Sequence, residues 1–183
     1  ENTAKAIDGA NDGASGVGVL MEIARAISNS EIQPKIGIDI ILFDAEDYGQ
    51  PSGMMAGQTG ETWCLGSQYW ANNLTDNYVR PKYGILVDMV GAKDAVFPKE
   101  GVSMQYNPQL VNKVWYLANK LGYGKYFIQE EAKGGITDDH LYVNRIANIP
   151  SIDIIHYDPY QGDFGSFHHR HSDDIDIIDK PTL

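Results

Sequence analysis

One cysteine, Cys64, is all that the sequence offers. Its solitude excludes an internal disulfide and any zinc site built from several cysteines. Basic residues are scarce too: 14 Lys and Arg stand against 25 Asp and Glu, a net charge of −11 over 183 residues. The charge is spread without long single-sign blocks, which speaks against nucleic acid or an anionic membrane surface as a partner. No apolar run approaches membrane-spanning length, so a soluble domain that does not cross a membrane is expected. Neither an initiator Met nor a leader precedes "ENTAKAIDGAND", which reads as a fragment or a processed chain. At the other end "IIDKPTL" stops where a Pro would open another helix. Residues 1–183 suffice for one compact domain, expected to lack an N-terminal segment and its last helix.

What the sequence does contain is helices alternating with apolar strands. Val17, Leu20, Met21, Ala24 and Ile27 recur at helical spacing, as do Leu110, Val114, Leu117 and Leu121. Strands are expected at 36–43, at 83–90 ("YGILVDMV") and at 151–157 ("SIDIIHY"), each with β-branched residues on consecutive positions. Consecutive apolar residues suit strands covered on both faces. The expected class is therefore α/β, a three-layer arrangement with a central, mostly parallel (mixed) sheet. Residues 47–66 read as a long surface connection rich in Gly, Ser and Thr.

Acids collect where those strands end. Ligands of an open α/β sheet bind beyond the carboxyl ends of its strands, and "FDAEDYG" sets Glu46 and Asp47 just past one such end. Asp88 lies near the end of the next strand, and Asp12 stands in "DGANDGASG", where a Gly-rich turn feeds a helix. Like charges delivered to one edge repel unless something positive sits among them. Three of the five histidines, His168, His169 and His171, follow in "FHHRHSDD". Carboxylates plus His without Cys is the ligand set of a zinc site with a position open to substrate. Each signal also has a plain reading: Asp12 as a helix N-cap, Glu46 and Asp47 as a solvated helix start, Asp88 as a satisfied core acid, the His-rich loop as surface. Their joint occurrence in the order Asp, Glu-Asp, Asp, His favours the metal.

"GANDGASGVGVLMEIAR" followed by "FDAEDYG" resembles the zinc-dependent peptidase M28 superfamily and, within it, the glutaminyl-peptide cyclotransferases. The resemblance implies zinc ligation by Asp12, Asp47 and His171, with His169 as the alternative to His171, and Glu46 as general acid/base. "ITDDHLYV" is similar to the cyclase form with two acids before the His, so Asp138 would join Asp88 in the catalytic network. Trp63, in "GETWCLGS", is implied as a pocket residue or as packing, and Arg170 stands where the cyclases place a Trp. The activity implied is conversion of N-terminal Gln of a peptide or protein to pyroglutamate, with one zinc. A zinc aminopeptidase with two metals would use the same residues, Asp88 then ligating the second ion and Glu46 activating a water; a silent binding domain would have no need of Glu46. Bacterial relatives imply export to the periplasm or envelope.

Overall fold

The structure is a computed structural model that describes residues 4–49, 61–132 and 134–183. Four strands and five α-helices are assigned among them. Helix α1 (Ala14–Ser28) comes first and α2 (Leu65–Asn72) follows. Next are β1 (Gly84–Asp88), β2 (Phe97–Lys99), α3 (Gly101–Tyr106) and α4 (Pro108–Lys120). Strand β3 (Phe127–Glu131), the short α5 (Asp139–Tyr142) and β4 (Ser151–Ile155) complete the set. Strand β1 pairs with β4 and β2 with β3, both parallel. Parallel strands joined through helices make this an α/β fold, as the alternating pattern implies.

Local chemistry explains the helix starts. The Glu100 side chain accepts from the N–H groups of Val102 and Ser103 to cap α3. Asn107 caps α4 through Leu110 N–H, with Pro108 at the first helical position, where its missing N–H costs nothing. The main core lies between β1, β4 and α4. Trp115 is fully buried there with Val90, Phe97, Leu110, Val111, Tyr126 and Ile152. Its indole Nε1 donates to Phe97 O at 3.0 Å, so the largest core side chain leaves no polar atom unmet.

Three expectations are corrected. Residues 36–43 join no strand ladder among the described residues, and Ile36, Ile38, Ile40 and Leu42 are exposed. Their apolar sequence is that of a strand, but a strand exists only where a neighbour takes its N–H and C=O groups. Helix α4 buries Leu110, Val111, Trp115 and Ala118, while Leu117 and Leu121 of the expected stripe face outward. The connection 47–66 ends in the first turn of α2; its central residues, 50–60, lie outside the described part.

Helix α1 meets β1 through small residues, with only Ser15 and Gly16 buried on it. A Cβ on Gly16 would stand 2.2 Å from Val87 O, a backbone atom that cannot swing away. On Gly18 a Cβ would meet nothing within 4 Å. Gly16→Ala is therefore expected to destabilise by about 1–3 kcal/mol through overpacking, and Gly18→Ala to stabilise by up to about 1 kcal/mol through helix propensity. Urea midpoints of the two variants check this; equal shifts would remove the close approach as the reason for Gly16.

Candidate metal and proton-transfer site

Three chain segments build one edge of the molecule beyond β1 and β4. The first is the turn before α1. Asn11 is fully buried; its N–H donates to Asp173 Oδ1 at 2.7 Å, and that of Asp12 to Asp173 Oδ2 at 3.1 Å. Asn11 Oδ1 accepts from Gly91 N–H at 2.8 Å, while Ser15 Oγ accepts from Val90 N–H at 3.0 Å. Asp12 is thus tied both to the end of β1 and to the C-terminal Asp173.

The second segment carries Glu46 and Asp47. Ala45 adopts a left-handed backbone, φ 52°. Around this bend the carbonyls of Asp44, Ala45 and Glu46 accept from Gly66, Leu65 and Cys64 N–H at 3.1, 3.1 and 2.8 Å. The two acids remain in side-chain contact but differ in their further partners. Asp47 Oδ1 lies 3.1 Å from His169 Nε2. Glu46 Oε1 accepts from the Cys64 thiol at 3.4 Å, with Asp138 gathered within 4.8 Å of both.

The third segment supplies the imidazole. His169 Nε2 stands 3.6 Å from Asp12 Oδ2 as well as 3.1 Å from Asp47 Oδ1. It is His169, the alternative to His171, that the structure brings against the two carboxylates. The backbone is left-handed at His169, φ 57°, and aromatic rings line the loop before it. Tyr157 meets Phe164 edge-on, Phe164 lies 4.6 Å from His168, and His168 lies 3.8 Å from His169. His168 also groups with Asp12 and His169 as a possible ligand set. Arg170 is exposed beside them, its carbonyl accepting from Asp173 N–H.

The electrostatics follow from crowding. Burial, then the charge of Asp47, raises Asp12 to about 6, with His169 opposing. Burial, then Asp47 and Asp88, raises Glu46 to about 9. Burial, then Asp12, raises Asp88 to about 8, with Asp47 and Asp139 adding to it. Behind them, burial drives Asp138 and Asp153 well above the carboxylate range. Like charges so arranged call for a cation. Asp12 and Asp47 each offer a carboxylate oxygen to the His169 imidazole, at 3.6 and 3.1 Å, and His168 groups with Asp12 and His169; carboxylate and imidazole donors of this kind suit zinc.

The inner wall went unread in the sequence. Glu100, His140 and Asp153 are all fully enclosed, with His140 Nε2 3.0 Å from Glu100 Oε2 and Nδ1 3.8 Å from Asp153 Oδ2. The DDH spacing pointed to Asp138 but not to the partners of His140, which come from β4 and from the cap of α3. Trp63 packs with Cys64, Val102, Leu141 and Tyr142. Its indole lies on Gly49, where a Cβ would overlap the ring. That is the packing role allowed for it.

The raised acids set a stability profile for the metal-free protein. A carboxyl whose folded pKa is raised contributes stability that is present below its ordinary value and lost as pH rises through the folded one. For Asp12, Asp88 and Glu46 that window runs from about 4 to about 9. Glu100, lowered to about 2 because His140 and the backbone N–H groups of Ile136 and Ser103 outweigh its burial, stays ionised throughout. The melting temperature without metal is expected to fall from pH 5 to pH 9, and excess zinc to flatten the fall. A melting temperature that rises with pH in the metal-free protein would contradict this charge arrangement.

Comparison with known proteins gives the site a context. The family model for peptidase family M28 matches residues 2–183. No curated protein matches the chain. Among solved structures, a glutaminyl cyclase of Bacteroides thetaiotaomicron bound to N-acetylhistamine is 51% identical, with a TM-score of 0.87. That match covers 96% of this chain and 59% of that one. A glutaminyl cyclase of Tannerella forsythia is 50% identical at a TM-score of 0.87, covering 96% and 60%. A Zn-dependent exopeptidase of Parabacteroides distasonis is 52% identical at a TM-score of 0.87, covering 96% and 59%. The chain thus spans about three fifths of the length of the structures it matches. Its fold, its acids and its match over nearly every residue agree, and the chain belongs to peptidase family M28.

Proposed function

We propose that the chain carries the reaction of a zinc-dependent glutaminyl-peptide cyclotransferase, closing the N-terminal Gln of a peptide or protein into pyroglutamate with release of ammonia. The observation that carries this reading is that the adjacent acids Glu46 and Asp47, in contact with each other, have different further partners. One carboxylate of the pair faces His169 and Asp12, while the other faces Cys64 and Asp138. A structural metal site has no use for the second acid. About 50% identity to two glutaminyl cyclases supports the same reading.

Asp12, Asp47 and His169 would hold one zinc. When bound, zinc supplies Lewis-acid polarisation of the γ-carboxamide oxygen. The nucleophile belongs to the substrate: its α-amine is tethered to the carbon that it attacks, so no activated water is required. The bond from the α-nitrogen to the side-chain carbonyl carbon forms, and the bond from that carbon to the amide nitrogen breaks. Glu46 accepts the proton that the amine loses and returns it to the departing nitrogen, which leaves as ammonia. A carboxyl pressed toward 9 in the ion-free site binds a proton strongly enough for that transfer, and a neighbouring cation draws its pKa down toward the working range. Asp88 and Asp138 both lie close enough to Glu46 for their charges to couple, and in this reading they hold the amide nitrogen. The acidic wall also suits a positively charged peptide N-terminus. Export to the periplasm or envelope goes with this reading.

The aminopeptidase reading uses the same residues and agrees with neighbours named as exopeptidase and leucine aminopeptidase. It needs Asp88 at a second metal. Asp88 lies close enough to Asp12 and Asp47 for their charges to raise it, so the identity of the product, not the ion-free geometry, separates the two readings. The test takes zinc-loaded protein with one peptide beginning in Gln and one beginning in Leu, followed by mass spectrometry. The Gln peptide is expected to lose one ammonia and the Leu peptide to stay intact. Glu46→Gln is expected to lower turnover by roughly 100-fold or more while zinc content stays at one per chain. Release of free Leu would replace the cyclase with a peptidase.

A further inference from the structure

The proposed reaction uses Glu46, Asp88 and Asp138, yet the buried polar chain continues past Asp138. Asp153, in the middle of β4, is fully enclosed, and neither of its carboxylate oxygens has a conventional hydrogen-bond donor. What stands near them is acid and imidazole: the ligand atoms of Asp138, His140 and Asp153 lie within 4.8 Å of one another. His140 is held firmly. Its Nε2–H donates to Glu100 Oε2 at 3.0 Å, and its carbonyl accepts from Asn144 Nδ2 at 2.8 Å.

Glu100 can only accept in this setting. It takes Val102 N–H at 2.7 Å, Ser103 N–H at 2.6 Å, Ser103 Oγ–H at 2.8 Å and Ile136 N–H at 2.8 Å. Five donors around one enclosed carboxylate fix it as the anion and fix Nε2 of His140 as a donor. The other ring nitrogen, Nδ1, is buried without a hydrogen bond and faces Asp153, whose Oδ2 is 3.8 Å away, so its contact with that acid is electrostatic. Ser103 closes the frame, since its Oγ also accepts from Asp153 N–H at 2.9 Å. Every group facing this ring or its acid partners is accounted for: Glu100 from the α3 cap, Asp153 from β4, and Asp138 and Asp139 from α5. Asp88 of β1 and Glu46 with Cys64 stand beyond them.

Two enclosed carboxyls in contact cannot both be anionic; one proton serves both. Which of them keeps it depends on what else each one touches. Asp153 lies nearest the imidazole and is hydrogen-bonded by Asp138, whereas Asp138, whose Oδ1 accepts from Asp139 N–H, also reaches Glu46 and Cys64.

We infer that His140 is a positioning residue: clamped by Glu100, it stabilises the anion at Asp153 and so leaves the shared proton on Asp138, whose acid group is then presented to Glu46 and to the departing nitrogen. The inference rests on the cyclase reading and extends it inward from the site by two residues that do not touch substrate. No bond is made or broken at His140. Its effect is on the location of one proton.

The experiment compares zinc-loaded wild type, His140→Gln, Asp153→Asn and the double variant, each with folding checked by circular dichroism and thermal melting. Two readouts are taken: the pH dependence of kcat and KM on a Gln peptide, and the carbonyl stretch of a protonated carboxylic acid by infrared spectroscopy with labelled Asp. His140→Gln is expected to lower kcat by on the order of 10-fold to 100-fold, to leave KM within about twofold and to displace the pH profile by about one unit or more. Asp153→Asn is expected to do the same. The double variant is expected to be no worse than either single one, because the residues act as a unit. The infrared band is expected in wild type at neutral pH and altered in both single variants. Should His140→Gln fail to fold, the nearly isosteric Asp153→Asn decides alone. A pH profile that stays in place, losses that multiply in the double variant, or absence of the acid band from wild type would overturn the inference. Failure of the cyclase reading looks different: wild type itself would release no ammonia, and the infrared readout would still decide the proton's place.

Discussion

Carboxylates packed at the edge of a parallel sheet must be neutralised, and the rest of the site answers that requirement in two ways. Toward solvent, Asp12, Asp47 and His169 leave a position for a dication. Toward the interior, protonation does the work: burial raises Asp138 and Asp153 as a pair, and one proton shared between them removes a charge. Glu46 lies at the boundary between the two regimes. Its neighbour Asp47 looks outward to the imidazole, and it looks inward to Asp138. In the proposed reaction this is the place of the proton carrier, between a bound cation and a protonated acid pair.

The scaffold delivers these groups from distant parts of the chain and fixes each by backbone. Asp12 is held through Asp173, 161 residues away. Glu46 and Asp47 are held by a left-handed bend at Ala45 against the start of α2. His169 is held by a stack of rings and a left-handed backbone of its own. Such positions place catalytic side chains without asking the side chains to secure themselves, which leaves their polar atoms available for chemistry.

Part of this was legible in the sequence: Asp88 closes β1, and strand ends are where an open α/β sheet binds. Glu46 and Asp47 follow a run that pairs with no described strand, and Asp12 and Asp138 stand just before helices, so those acids are legible from their motifs. What stayed hidden depended on long-range contact. Glu100 sits in "FPKEG", which reads as a surface turn, and Asp153 sits in "SIDII", which reads as plain apolar strand with one polar interruption. Neither stretch reveals that the two acids meet at His140. His169 and His171 are two residues apart in a loop without periodicity, so sequence spacing does not separate them. The run at 36–43 failed for the converse reason: its composition is that of a buried strand, but strand structure belongs to a pair of strands, and none of the described ones lies alongside it.

The crystal structure of the zinc-loaded protein, with anomalous scattering recorded at the zinc edge, would locate the ion and its ligands together. The account predicts one peak bounded by Asp12, Asp47 and His169, with the Glu46 carboxyl outside the coordination sphere and directed at Asp138. A peak ligated by Glu46, or one held by His171 in place of His169, would contradict it.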